Sequence, residues 1–354
     1  MKGLYITLLR LLLVPLCMLS SCSKTDSGGK KNEIRVLTDR TESHLLPLFK
    51  DFEKKYNATI KMVHLDSGLV VRLESRPQEA DLVITKDAEL LELAKAKGLL
   101  RAFHSPLIEK SVPQAFRDID NTYFTDNYRA RAIFYSKERV IPTSLSTYEA
   151  LADPKWKGRI CLRSGYHDYN LSLFSQLAAS MGLERTKKLI KGLHDNLART
   201  PMGNDREQVR GILEKHCDLA LANSYYMGIM LSNPKQRHWG ESARVFFPDQ
   251  EIGGSIILRS GLALTRAERN TEMATSLMEH LVQKKTQNKM AQITFAYPVI
   301  GGLLFPKINR KLGEDQPGIK DGVFKFRMVP LAAIIRYRAS VIEFLDTINF
   351  DVVN

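Results

Sequence analysis

Two adjacent tyrosines, Tyr225 and Tyr226, follow the alternating apolar run Asp218-Leu-Ala-Leu-Ala-Asn-Ser, and Tyr169 closes an upstream stretch, Tyr166-His-Asp-Tyr. Phenolate is a hard, anionic oxygen donor. A highly charged cation such as ferric iron can displace the phenol proton well below its free pKa of about 10, whereas softer metals select thiolate or imidazole. The same tyrosines also read as ordinary packing, each ring apolar and each hydroxyl satisfied by a neighbour. The pair alone does not choose between the two. Motifs for catalysis are missing: there is no Gly-x-Ser-x-Gly elbow, no His-Glu-x-x-His and no Cys-x-x-Cys, so a lipid-anchored hydrolase finds no support.

The elements that must carry these tyrosines alternate. Glu33–Thr38 reads as a strand, Ser43–Tyr56 as a helix with apolar residues at helical spacing, and Ala58–Leu65 as a second strand. A helical Gly68–Ser75, a buried strand Ala80–Thr85 and a helix Leu90–Gly98 follow, which predicts a parallel α/β sheet. Tyr128–Tyr135 and Gly254–Arg259 are strands suited to crossing between two lobes. Between them lie helices at Asn170–Met181, Leu183–Leu193 and Asp205–Lys215, the strand Leu219–Ala222 that delivers the tyrosine pair, and a strand at Arg244–Pro248. Helices at Thr271–Leu281, Lys284–Gln292 and Pro330–Leu345 complete the chain. Two α/β lobes joined by two crossings place a ligand in the cleft between them.

The N-terminus predicts export. Residues 1–21 combine Lys2 and Arg10 with a short apolar run and small residues, the pattern of a signal peptide, and the run is too short for the roughly 20 residues a bilayer requires. Leu19-Ser-Ser-Cys22 is similar to a bacterial lipobox, with Cys22 the acylated residue that would anchor the protein in a lipid bilayer. Residues 22–32 are polar and read as a flexible tether. Cys161 and Cys217 then remain, as a disulfide or as two buried thiols. The net charge of +13, or +11 without Lys2 and Arg10, is scattered over helices. With an export signal, this points to a solvated surface near anionic lipid and away from nucleic acid.

Longer motifs carry a resemblance. Leu145-Ser-Thr-Tyr-Glu-Ala-Leu-Ala-Asp-Pro-Lys-Trp-Lys-Gly-Arg-Ile-Cys-Leu-Arg-Ser, Tyr169-Asn-Leu-Ser-Leu, Ala222-Asn-Ser-Tyr-Tyr and Val245-Phe-Phe-Pro-Asp-Gln resemble the tyrosine-rich branch of the periplasmic ferric-iron-binding proteins of bacterial ABC transporters. The resemblance implies a two-lobed, class II periplasmic-binding-protein fold. Its lobes would be residues 33–128 plus 259–305 and residues 129–258 plus 306–354. It implies a monomer of the cell envelope, facing the periplasm or exterior, that passes Fe(III) to a separate permease without catalysing a reaction. Tyr169, Tyr225 and Tyr226 fall on the family's metal ligands and Arg129 on a nearby arginine that offsets their charge, with an anion or water completing the coordination. The family's Arg-His-Tyr run is replaced by Arg40-Thr-Glu, which puts Glu42 where a first-lobe tyrosine would stand. Its carboxylate either serves as the fourth hard donor or merely suits the start of a helix. His44 is a neighbouring alternative. A second ligand class, an inorganic or small organic anion held by Arg129, Arg131 and helix-start amides, is the rival to ferric iron.

Overall fold

A computed structural model describes residues 32–267 and 269–353; the signal segment, Cys22 and nearly all of the tether lie outside them. Strands β1 (Glu33–Thr38), β2 (Thr59–His64) and β3 (Leu82–Thr85) alternate with helices α1 (Glu42–Tyr56), α2 (Leu69–Ser75) and α3 (Ala88–Ala96). β1 pairs in parallel with both β2 and β3. Helix α1 forms because Leu45, Leu48, Phe49 and Phe52 recur on one face and are buried together. It ends at Asn57, whose left-handed backbone (φ 47°) a short polar side chain tolerates.

After β4 (Leu100–Arg101) and α4 (Pro106–Ser111) comes β5 (Tyr123–Ser136). The chain continues through β6 (Ile160–Cys161), α5 (Asp168–Met181), α6 (Leu183–Asp195), α7 (Asp205–Leu213), β7 (Leu219–Asn223), α8 (Tyr226–Ser232), α9 (Arg237–Glu241) and β8 (Ala243–Phe246). β9 (Ser255–Thr265) returns, followed by α10 (Thr271–Leu281), α11 (Lys284–Thr294), β10 (Tyr297–Pro298), β11 (Phe326–Arg327) and α12 (Leu331–Thr347), which packs on α5 and α3. The result is the two-lobed α/β fold expected.

β5 and β9 are the elements that position the site. From Tyr123 to Ala130, β5 pairs antiparallel with β9; from Arg131 to Tyr135 its partner is β7. Both crossing strands are longer than their apolar patterns suggest. The start of β5 holds Thr125, Asp126 and Asn127, which are polar yet buried, and the ladder slips by one residue at Asp126. Such a bulge re-aims the side chains beside it. Opposite the bulge stands Gly261, where a Cβ would come within 2.7 Å of the Phe124 carbonyl oxygen.

Cys161 and Cys217 are joined, with Cα atoms 5.7 Å apart. The bond ties β6 to the segment entering β7, two strands that also pair in parallel. Among the described residues, no helix is long and apolar enough to cross a membrane.

Candidate metal centre

Tyr225 and Tyr226 stand where β7 ends and α8 begins. Ser224 fixes that junction: its amide donates to the Ala130 carbonyl (2.9 Å) and its Oγ accepts from the Ala130 amide (3.2 Å). The two rings pack with centroids 4.2 Å apart. Helix α8 was not anticipated, because Tyr-Met-Gly-Ile-Met-Leu-Ser carries no cap and little polar face. Tyr169 sits in the first turn of α5, where His167 caps the helix by accepting from the Tyr169 amide at 3.2 Å. Burial, and then Arg163, push the His167 imidazole down to about 4, so it stays neutral and available as an acceptor. Tyr166 lies elsewhere, donating to Asp346 of α12 at 2.6 Å.

Tyr169 and Tyr225 line one cavity of about 90 Å³ together with Arg40, His44, Lys86 and Arg129; Thr41, Asn127, Ser260, Thr294 and Ala296 complete it. Tyr226 adjoins it through its contact with Tyr225. This space is several times what a single water requires and suits an ion with a small co-ligand. Drug-sized molecules need about 300–1,000 Å³.

The tyrosines come from α5 and the β7–α8 junction. Across the cavity, Arg40 and His44 come from the β1–α1 turn and from α1, Lys86 from the end of β3, and Thr294 from α11. Arg129 is held by the Lys86 carbonyl (2.7 Å) and Ser260 Oγ (3.0 Å), and its guanidinium lies 5.5 Å from the Tyr169 ring centroid. Arg40 is buried against Asp126 at 2.7 Å, which explains the buried bulge. Burial raises the Tyr225 phenol well above its usual value, with Tyr169 and Tyr226 adding to the shift, and raises Tyr226 for the same leading reason. Both are therefore protonated in the metal-free protein. His44 is lowered by burial and then by Arg40, so it too is neutral.

Glu42 does not join this lining. It is an exposed first residue of α1, where its charge meets the unpaired amides of the helix start. One residue of register decides the matter: Thr41 and His44 face the cavity and Glu42 does not. The residues that sequence reasoning missed are Lys86, Asn127, Ser260, Thr294 and Ala296. No local pattern marks them, since they come from four separate stretches of the chain, Thr294 and Ala296 sharing the end of α11.

Behind the cavity, Glu89 of α3 accepts from Ser172 Oγ of α5 and lies 3.4 Å from Arg338 of α12. Burial, reinforced by Asp87, pushes its carboxyl up to about 8. Glu89 therefore keeps a proton in the fold that the unfolded chain, with a value near 4.5, has released. Between those values the folded state binds the extra proton, so stability falls as pH rises, by at most about 1.4 kcal/mol per pH unit. Thermal unfolding from pH 5 to 8 in the wild type and in Glu89→Gln should differ by that downward contribution, which the variant lacks.

The fold and the tyrosine-lined cleft define a solute-binding protein, and comparison with known proteins agrees. Residues 78–318 match the model of a family described as bacterial extracellular solute-binding protein, and the chain belongs to that family. It is 34% identical over 308 residues to Iron uptake protein A1 of Synechocystis sp., covering 84% of this chain and 86% of the relative. Among solved structures, apo ferric ion-binding protein A of Pasteurella haemolytica superposes with a TM-score of 0.83 at 34% identity, over 91% of this chain and 99% of its own. The Trichodesmium protein IdiA (FutA), in complex with iron and citrate, gives 0.81 at 29% identity, over 90% and 99%. These relatives are named for binding and uptake, not for catalysis.

Proposed function

We propose that this protein is an extracytoplasmic solute-binding lipoprotein that captures ferric iron in the cleft and delivers it to an ABC permease. The observation that carries the reading is the convergence of phenols from two separate segments on one small, guanidinium-lined cavity. Tyr169, Tyr225 and Tyr226 supply the iron ligands as phenolates. Three such donors neutralise Fe(III), and Arg129 offsets any further anion. Arg40 and Lys86 on the opposite wall favour an anionic co-ligand, such as the citrate of the Trichodesmium complex, over an anion bound alone, because buried phenols without a cation offer an anion little.

Loading removes the phenol protons, and the wall bearing Arg40 and His44 closes over the ion by a hinge in β5 and β9, between lobes 33–128 plus 259–305 and 129–258 plus 306–354. The closed form is the surface a permease would read. Cys22 would hold the protein at the membrane, residues 22–32 would give it reach, and export would let the Cys161–Cys217 bond form.

Glu42 stands outside the ligand set. In competition against citrate, Glu42→Ala should keep wild-type ferric affinity within about twofold, since only an exposed charge at a helix start is lost. A loss beyond tenfold, with metal content falling in step, would return Glu42 to the site.

A further inference from the structure

The tyrosines come from segments far apart in the chain, and something must fix the distance between them. Arg131 occupies the middle of β5 with no solvent exposure, as does its partner Asp205 at the start of α7. Their closest contact is 2.5 Å. The same Asp205 oxygen accepts from the Asn223 amide at 3.0 Å, two residues before Tyr225. Arg131 in turn donates to Asn170 Oδ1 at 2.6 Å, and Asn170 immediately follows Tyr169. Asn170 Nδ2 then binds the carbonyls of Arg163 and Ser164, 3.0 Å each, which shapes the loop ahead of α5. The second Asp205 oxygen faces Arg163 at 3.3 Å. One ion pair thus touches both tyrosine-bearing segments.

A buried ion pair contributes little net stability, because desolvation consumes its attraction; apolar replacement of both partners is often neutral or stabilising. Stability is therefore a poor account of this pair. Its charge is better matched to the site: the guanidinium carbons of Arg129, Arg131 and Arg163 lie 5.5, 5.9 and 5.5 Å from the Tyr169 ring centroid, with Asp205 the carboxylate that ties two of them together. The excess positive charge faces the ring whose oxygen turns anionic when iron binds.

We propose that the Arg131–Asp205 pair is the positioning element of the metal centre, setting Tyr169 against Tyr225 and Tyr226 and balancing their charge once ionised. The inference rests on the ferric reading above. Two variants test it in the full mature protein: Arg131→Met/Asp205→Leu, which removes the pair without leaving either charge alone, and Asn170→Ala, which leaves the pair whole but cuts its link to Tyr169. Ferric affinity against citrate should fall about 10–100-fold in each, the range for residues that orient metal ligands. The tyrosinate-to-iron absorbance per bound iron should also drop, a signal that a merely structural role would leave unchanged. Folding is checked by circular dichroism, and if the double variant does not fold, Asn170→Ala decides. Folded variants with wild-type affinity and absorbance would overturn the positioning role alone. A wild-type protein that develops no absorbance with ferric citrate would overturn the ferric reading and this inference with it.

Discussion

Tyr225→Phe/Tyr226→Phe is expected to stay colourless in ferric citrate and to retain no iron through gel filtration, while folding as the wild type does. The substitution removes two oxygens and nothing else. The rings keep their 4.2 Å packing, and the buried α8 residues Met227 and Met230 are untouched. Two of the three proposed anionic donors would be lost outright, so the effect should exceed the 10–100-fold expected from disturbing residues that only orient ligands. The melting temperature should change little, because the two hydroxyls hydrogen-bond each other and are removed together, leaving neither unpaired. Single variants separate the roles. Tyr225→Phe should cost more than Tyr226→Phe if lining the cavity directly, as Tyr225 does, reflects the stronger bond to the ion.

Ferric affinity should collapse on acidification. Burial holds the Tyr225 and Tyr226 phenols protonated in the free protein, and in the proposed iron complex they would be ionised. Binding therefore releases protons, and the bound state gains as pH rises. Each phenol proton released makes affinity fall by about tenfold for every unit of acidification. Iron loss between neutral pH and pH 5, followed by the visible band and by proton release into weak buffer, checks the slope. Glu89 works in the opposite direction: its proton makes the fold itself more stable toward acid over the window from about 4.5 to 8. The half-buried His167 and His44 oppose it, since their lowered values favour unfolding as pH falls, so circular dichroism during release decides whether iron leaves a folded protein or is lost by unfolding.

Much of the architecture was legible because it is periodic. Alternation of strands and helices announced the α/β lobes, and the apolar spacing of Leu45, Leu48, Phe49 and Phe52 announced α1. Tyr169 and the tyrosine pair were legible because they sit inside long, distinctive stretches. The other wall was not. Whether Thr41, Glu42 or His44 meets the cavity depends on one residue of register at the start of α1, and chemistry alone left the Glu42 carboxylate equally suited to a metal or to a helix start. The first half of β5 was missed for a related reason: Asp126 breaks the apolar pattern, and its justification is Arg40, 86 residues away. Arg129 likewise finds Lys86 and Ser260 at separations of 43 and 131 residues. Buried polar residues satisfied by distant partners leave no local signature.

The most direct test is a titration of the mature protein with ferric citrate, following visible absorbance and measuring bound metal after gel filtration. The account predicts one iron per chain, with a tyrosinate-to-iron charge-transfer band that grows in proportion and vanishes in Tyr225→Phe/Tyr226→Phe. A protein that remains colourless and metal-free, or that binds citrate or another anion equally well without iron, would contradict it.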